Sequence, residues 1–446
     1  MLEELGAYCT ETIRRLGCPS VSVAVAERGA LVLAEAYGLA DPATGRPATP
    51  ATAYGLASVT KPVTATAVCV AADEGLLDLD APLPGGFPGG LADDPSWPSP
   101  TPRQLLRHRG GFGAHYAFDY GGGRRIDSDR YARLYREPGT GFEYANTGYR
   151  LLGLLLEQAT GRDLGTFARE RVFAPLGLTG CHLGPSYPGP APSAVRFTPD
   201  GRPYPDADCD HPGATLGWAP AGELALFAQS YPRLLKPETA AAMLDEQPVH
   251  DHLGYGLGWC VSRGAGPRVV SHGGGMGGVA AMAVAVPAQE LSVAVLANST
   301  NKAARDAIVR YVLTELVPGY TDDHLTVFRD TTRPTEMPPG EWAGRIVTPE
   351  GEVPVSLRLL ADRQAELRMD GESATAPVTA SATADLRAVF PLVVPTDDAR
   401  AGSTVTGLEL RLEKGRLKGV ARAYKEGDRE GFLGNMLSHP CELRPR

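Results

Sequence analysis

An α+β fold is predicted by three features of this 446-residue chain. Strand-like alternation marks both ends of the first 320 residues or so, helical periodicity fills the middle, and a β-rich tail of different texture follows.

The opening stretch PSVSVAVAERGALVLAEAYGLADPATGRP alternates like an antiparallel hairpin turning at Glu27-Arg28-Gly29. YGLASVTKPVTATAVCVAADEG then reads as a helix beginning near Ser58, and TGYRLLGLLLEQATG running into TFARERVFAPLGL reads as more helix. The Pro/Gly-rich stretches at 81–102 and 184–220 are too long for simple connectors, and loops of that length on a compact domain are commonly functional. VVSHGGGMGGVAAMAVAVPAQELSVAVLANST reads as consecutive strands around a glycine cluster, followed by the helix NKAARDAIVRYVLTELV. The strands at the two ends can therefore share one sheet. From about 321, TDDHLTVFRDTTRPTEMPPGEWAG is a Pro/Thr-rich linker. Beyond it VPVSLRLL, QAELRMD, GLELRLEKGRLKGVARAY and CELR alternate between Gly, Pro and Asp, the pattern of a small antiparallel β-barrel or sandwich. The predicted division is a domain over 1–320, a linker over 321–331 and a barrel over 332–446.

Composition narrows the function. A net charge of -9 with no basic stripe argues against a nucleic-acid or anionic-membrane surface. No basic leader precedes an apolar segment, and no apolar run reaches the roughly 18 residues of a membrane span, so the expected location is the cytoplasm. Seven scattered cysteines without Cys-x-x-Cys spacing read as free thiols in a reducing compartment. His250-Asp251-His252 has ligand types but the wrong spacing for a helical metal pair, and no cofactor is expected.

Of 43 basic residues only six are lysine, and one of them, Lys61, stands three residues after Ser58 at a helix start. That spacing puts both side chains on one helical face, within reach of each other. A serine hydroxyl is a weak nucleophile unless a base takes its proton, and a lysine can do so once burial lowers its pKa. Tyr144-Ala-Asn146 precedes a helix in EPGTGFEYANTGYRLLG, and His272-Gly273-Gly274 lies at a strand-like edge in SHGGGMGG.

Together, in this order and at these separations, the three segments resemble the active-site motifs of the serine β-lactamase and DD-peptidase superfamily. The resemblance is to its class C-like branch, with DD-carboxypeptidases, D-aminopeptidases, family VIII esterases and penicillin-binding-protein-type thioesterases. TPRQLLRHRGGF is similar to that family's Leu-Leu-x-His-Thr-Ser-Gly-Leu segment, with Arg109-Gly110 in place of Thr-Ser. RVFAPLGL and YGLGW are similar to two further segments, so the likeness covers roughly 15–315.

The resemblance implies Ser58 as the acyl-accepting nucleophile, Lys61 as its base and Tyr144 as the proton shuttle to the leaving group. It implies Asn146 bonded to the substrate amide and to Lys61, and backbone N–H groups of Ser58 and Gly275 as an oxyanion hole, with Gly273 and Gly274 along the substrate. His272 replaces a lysine of class C β-lactamases, which weakens the case for β-lactam hydrolysis. His108 and His115 read as packing or pocket-wall residues. A catalytic domain followed by one small lipocalin-like domain resembles the penicillin-binding-protein-type thioesterases, which close a nonribosomal peptide delivered by a carrier protein. The implied partner is thus a peptidyl substrate, with a carrier protein presenting it. D-stereospecific peptidases or amidases and family VIII-type esterases share the motifs, and a non-catalytic binding protein on the same fold is a remote alternative. Arg429 and Arg444, in YKEGDREGFLGNM and CELRPR, are candidates to pair with a substrate carboxylate from the second domain.

Overall fold

The computed structural model describes residues 4–87, 91–92, 96–121, 125–325, 332–381 and 383–446. Parts of the 81–102 loop and of the 321–331 linker therefore lie outside the described residues.

Nine described strands form one antiparallel sheet in the order Gln247–His250, Leu253–Tyr255, Cys260–Ser262, Val270–Met276, Val279–Val286, Leu291–Ala297, Ser20–Glu27, Ala30–Asp41, Arg46–Pro47. The N-terminal hairpin therefore joins the late strands, as the alternation predicts. Its two-residue turn has Arg28 and Gly29 both at positive φ (49° and 80°), the backbone twist that suits a tight hairpin.

Period-two alternation assigns each face a different residue size. Val21, Val23, Val25, Val293 and Val295 pack toward helices Leu5–Leu16 and Ala303–Leu316. Ala24, Ala26, Ala281, Ala283 and Ala294 face the opposite side, where small side chains let Leu224 and Phe227 of helix Ala221–Ser230 come close. Behind them lies the helix Thr60–Asp73, buried all round at Val63, Ala65, Ala67, Val68 and Ala71. A helix apolar on every side belongs in the interior, and this one carries the Ser58–Lys61 segment into the middle of the molecule.

The tail forms a second antiparallel sheet of ten described strands, ordered Arg333–Pro334, Thr379–Ala380, Leu386–Phe390, Val405–Glu413, Arg416–Tyr424, Met436–Pro445, Gly340–Thr348, Gly351–Leu359, Gln364–Met369, Glu372–Pro377. It curls around a core that includes Ile346, Leu357, Leu367, Leu386, Phe390, Leu410 and Leu443. The sequence leads one to expect a small antiparallel, lipocalin-like barrel, and the sheet does curl. Among the described residues the ladder stays open, a half-barrel with Arg333–Pro334 and Glu372–Pro377 at its edges. Both edge strands end in proline, which has no N–H to extend a ladder.

The two sheets share core and hydrogen bonds. Ala117, Ile126 and Tyr131 of the first unit sit in the core of the second. Tyr116 and Met436 exchange two backbone bonds (3.1 and 2.9 Å), and the Tyr135 hydroxyl donates to Ser438 O at 2.7 Å.

Candidate active site

Ser58 sits in a single 3-10 turn, Ala57–Val59, directly before the buried helix. Ala57 has φ 46°, a left-handed conformation disfavoured for a residue with a side chain. The turn is held by its neighbours: the Thr60 hydroxyl donates to Ala57 O at 2.6 Å and accepts from Gly217 N at 2.8 Å, while Leu56 N donates to Gly217 O at 2.8 Å. Backbone strain held by surrounding bonds at a nucleophile is a common feature of active sites.

Lys61 follows one turn later with no solvent exposure. Its amine donates to Ser58 Oγ at 3.1 Å and to Ala214 O at 3.2 Å. Burial pushes its pKa well below the ordinary lysine range. A lowered pKa is what a lysine needs if it is to take a proton from the serine beside it. The expected Asn146–Lys61 bond is replaced by the one to Ala214, on the short helix Pro212–Thr215 inside the long 184–220 loop. Asn146 opens the helix Asn146–Thr160, and its buried Oδ1 has no protein partner, as suits an acceptor for a substrate N–H.

The Tyr144 hydroxyl bonds to Ser58, and the Lys61 amine lies 4.7 Å from the tyrosine ring centre. Burial raises the Tyr144 pKa, and the bond to Ser58 works against that rise. Tyr144 is clasped from both sides by His108. Glu143 N donates to His108 O (2.9 Å), Ala145 N donates to His108 Nδ1 (3.1 Å), and the two rings stand 4.2 Å apart. His108 is buried, itself at positive φ (54°), and dehydration with the Lys61 amine nearby holds its pKa well down. Its signal was present in LLRHRGG, but its task is to hold the Tyr144 loop. Arg109 turns away to the carbonyls of Gly139 and Pro248.

The strand Val270–Met276 brings the glycine cluster to this turn. Its pairing with Cys260–Ser262 stops at Ser271, so from His272 onward the described ladder has strand Val279–Val286 on one side alone. A side chain at Gly274 would run into Leu56 O, so glycine is what lets the strand lie against the nucleophile turn and sets Gly275 beside it. Gly273 and Gly275 face the other way, toward Arg305 and Lys302. The stem of Lys302 lies across Gly275, which places an exposed cation at the end of the site that sequence reasoning missed.

His272 is wholly buried, with both ring nitrogens engaged: Nδ1 with Gly273 O at 2.9 Å and Nε2 with the Tyr255 hydroxyl at 3.0 Å. Since Nδ1–H donates to the carbonyl, Nε2 accepts from Tyr255. Burial, with Lys61 nearby, lowers its pKa to about 3. Held this way it supports the strand and presents neither a free ring nitrogen nor a cation to the Ser58 turn.

The second sheet reaches the site through other residues than those expected. Asp428, not Arg429, is anchored in the first unit: it accepts from the Tyr204 hydroxyl at 2.7 Å and the Thr300 hydroxyl at 2.5 Å. Arg429 beside it is exposed. Phe432 packs on Tyr204 (4.8 Å) and Tyr120 (5.2 Å), and Phe118 N donates to Asn435 Oδ1 at 2.8 Å. Phe118 in turn packs against Ala57, Met276 and Val279, next to the nucleophile. Arg444 lies eight residues beyond Met436 on the same strand, which at about 3.3 Å per residue is roughly 26 Å from that junction. There it pairs with Glu442 at 3.6 Å, so the structure does not bring it to the site.

Among the described residues no group of three or more His, Cys, Asp or Glu could hold a metal ion, no helix is long and apolar enough to cross a membrane, and the seven cysteines are free.

A strained serine turn, a dehydrated lysine and a tyrosine meet at a glycine-rich strand edge, an arrangement suited to serine acyl transfer. The family model described as Beta-lactamase matches residues 6–317, and the chain belongs to that family, within the β-lactamase and penicillin-binding-protein-like superfamily of serine hydrolases. It is 33% identical over 199 residues to esterase EstB of Burkholderia gladioli, covering 40% of this chain and 50% of that protein. It is 27% identical over 291 residues to a D-aminopeptidase of Brucella canis, covering 58% of this chain and 52% of that protein. The chain spans about half the length of the curated relatives it matches. The crystal structure of SurE with D-Leu matches with a TM-score of 0.65 at 23% identity, covering 98% of both chains. The octameric penicillin-binding protein homologue of Pyrococcus abyssi matches with 0.61 at 19%, covering 99% of this chain and 100% of that one. These structural likenesses concern the fold alone, and they extend over both sheets.

Proposed function

We propose that this chain is a serine acyltransferase that takes a peptidyl group from a thioester, ester or amide, and that its task is release and head-to-tail closure of a nonribosomal peptide delivered by a carrier protein. The observation that carries the reading is the Ser58–Lys61–Tyr144 assembly lying beside the docking site of the second sheet. Ser58 Oγ attacks the acyl carbonyl as its proton passes to the Lys61 amine, and the carbonyl oxygen is held by the Ser58 and Gly275 N–H groups. The bond to the leaving group breaks, and Tyr144 hands that group a proton. The ester on Ser58 is then attacked by the peptide's own amine, whose proton returns through Tyr144 and Lys61 to Ser58. A second sheet seated on the loops around the nucleophile favours amine over water, since a site that holds an amine close and limits water selects aminolysis.

Hydrolysis is the second reading, favoured by the sequence relatives, an esterase and a D-aminopeptidase. Thioesters of linear peptides with D- or L-residues at the C-terminus, with products identified by mass, separate the two. Cyclic product supports closure; free acid throughout supports a hydrolase; no mass shift on Ser58 with any activated ester or fluorophosphonate would leave a binding protein on this fold.

A further inference from the structure

The two residues flanking Tyr144 are held differently. Ala145 is tied by its backbone to His108 within the first unit. Glu143 is tied there by its backbone, but its carboxylate reaches across to the second sheet. Arg422, on strand Arg416–Tyr424, donates from Nη2 to Glu143 Oε1 at 3.0 Å, and its Nη1 meets Glu409 Oε2 at 2.5 Å. The side chains of Arg422 and Glu143 are 14% and 21% exposed, so the pair is largely withdrawn from water and its geometry is narrowly set. Glu143 Oε1 also accepts from Ala114 N at 3.4 Å, and Ala114 O accepts from the Ser438 hydroxyl of the strand beside Arg422. The carboxylate next to the proton shuttle is therefore a joint between the two units.

We propose that Arg422 is a positioning residue for Tyr144: through its ion pair with Glu143, the second sheet sets where the tyrosine hydroxyl stands relative to Ser58. The inference rests on the acyl-transfer reading above and adds a task for the second sheet in the chemical step. Without the pair, Glu143 loses its charged partner, the Tyr144 loop relaxes, and the hydroxyl no longer holds its bond to Ser58. Proton delivery to the leaving group suffers, while binding of the acyl group does not depend on Arg422.

The test compares two esters of one acyl group, 4-nitrophenyl and ethyl. Nitrophenolate departs without a proton, whereas ethoxide needs one. Arg422→Met and Glu143→Gln should each lower the single-turnover rate of Ser58 acylation by the ethyl ester about tenfold, with KM within twofold and acylation by the nitrophenyl ester much less affected. The double variant should lose no more than either single one, because both break the same pair. Arg422→Lys should recover part of the ethyl-ester rate. Tyr135→Phe, which removes the inter-sheet bond to Ser438 O and leaves Arg422–Glu143 intact, is the docking control. The proposal is overturned if Arg422→Met slows both esters equally, if it acts through KM, or if Tyr135→Phe reproduces its leaving-group dependence. A wild-type protein that turns over neither ester defeats the acyl-transfer reading itself, a separate result from a wild type that works and an Arg422 variant that works equally well.

Discussion

The Lys61 amine stands 3.1 Å from the Ser58 hydroxyl at a position with no solvent contact, where its pKa falls well below the ordinary lysine range. Dehydration is the cause, and it carries a stability penalty. Ser58→Ala should abolish labelling of the protein by fluorophosphonates and reduce turnover by a thousandfold or more. Lys61→Met keeps the volume of the chain and removes the buried amine. It should be equally inactive, yet melt at the same temperature as wild type or above it, because an apolar side chain suits that place better. A Lys61→Met variant with near wild-type turnover would show that another group is the base.

Tyr144 touches Ser58 by its hydroxyl and His108 by its ring. Tyr144→Phe keeps the ring stacking and should fold normally while losing about 10²–10⁴-fold in rate, the usual worth of positioned proton transfer. An unchanged rate would remove the shuttle from this residue. His272 could not take over without breaking its bonds to Tyr255 and Gly273.

The Ser58–Lys61 and Tyr144–Asn146 segments were legible because their spacing and their places at helix starts are local properties of the chain. What was not legible depends on contacts far apart in sequence. Lys61 meets Ala214 across 153 positions, Tyr204 meets Asp428 across 224, and Glu143 meets Arg422 across 279. Arg429 was singled out by its charge, whereas the neighbouring Asp428 was chosen by two hydroxyls that no local pattern reveals. The open edge of the second sheet likewise follows from where its proline-ended strands fall, which alternation does not specify.

Three buried histidines give stability a definite pH dependence. Burial depresses His272 and His439 to about 3 and His211 to about 4, all below the ordinary 6.5. A lowered pKa means the unfolded chain binds more protons than the folded one between about 6.5 and those values. The neutral rings are accommodated fully above 6.5, and stability falls as pH drops below it. At pH 5 each histidine accounts for a loss of at most about 2 kcal/mol relative to pH 7. Melting curves between pH 7.5 and 5 should fall steadily, and His439→Gln, at the buried contact with Tyr131, should flatten the slope. A pH-independent melting temperature over that range contradicts the assignment.

β-Lactams should acylate Ser58 slowly and turn over poorly. The neutral His272 offers no fixed cation to their carboxylate, and the Lys302 amine that lies against Gly275 is partly dehydrated, which lowers its pKa and disfavours its charge. Lys302→Ala should slow labelling by a penicillin about three- to fivefold, consistent with up to about 1 kcal/mol for an exposed charge, and leave a neutral ester reporter untouched. Rapid turnover of a cephalosporin reporter at neutral pH would overturn the first expectation; equal slowing of both reagents would overturn the second.

Asp428 anchors the 425–435 loop of the second sheet beside the strand end that follows Gly275. Its carboxylate accepts from Tyr204 and Thr300, and Tyr204 also packs on Phe432 and would block any side chain at Gly277. Deleting the whole second sheet would uncover Ala117, Ile126 and Tyr131, so a truncated chain would report on exposed core as much as on the loop. Asp428→Ala is the cleaner perturbation. It leaves one buried and one half-buried hydroxyl without this acceptor, a cost of about 1–3 kcal/mol that falls on the loop. If that loop helps keep water from the acyl-enzyme, the variant should acylate Ser58 at the wild-type rate but shift products from cyclic peptide toward free acid, read by mass on a peptidyl thioester. A wild-type product ratio in Asp428→Ala, with the loop shown to be loosened by faster hydrogen exchange over 425–435, would mean that the loop docks without governing the fate of the acyl group.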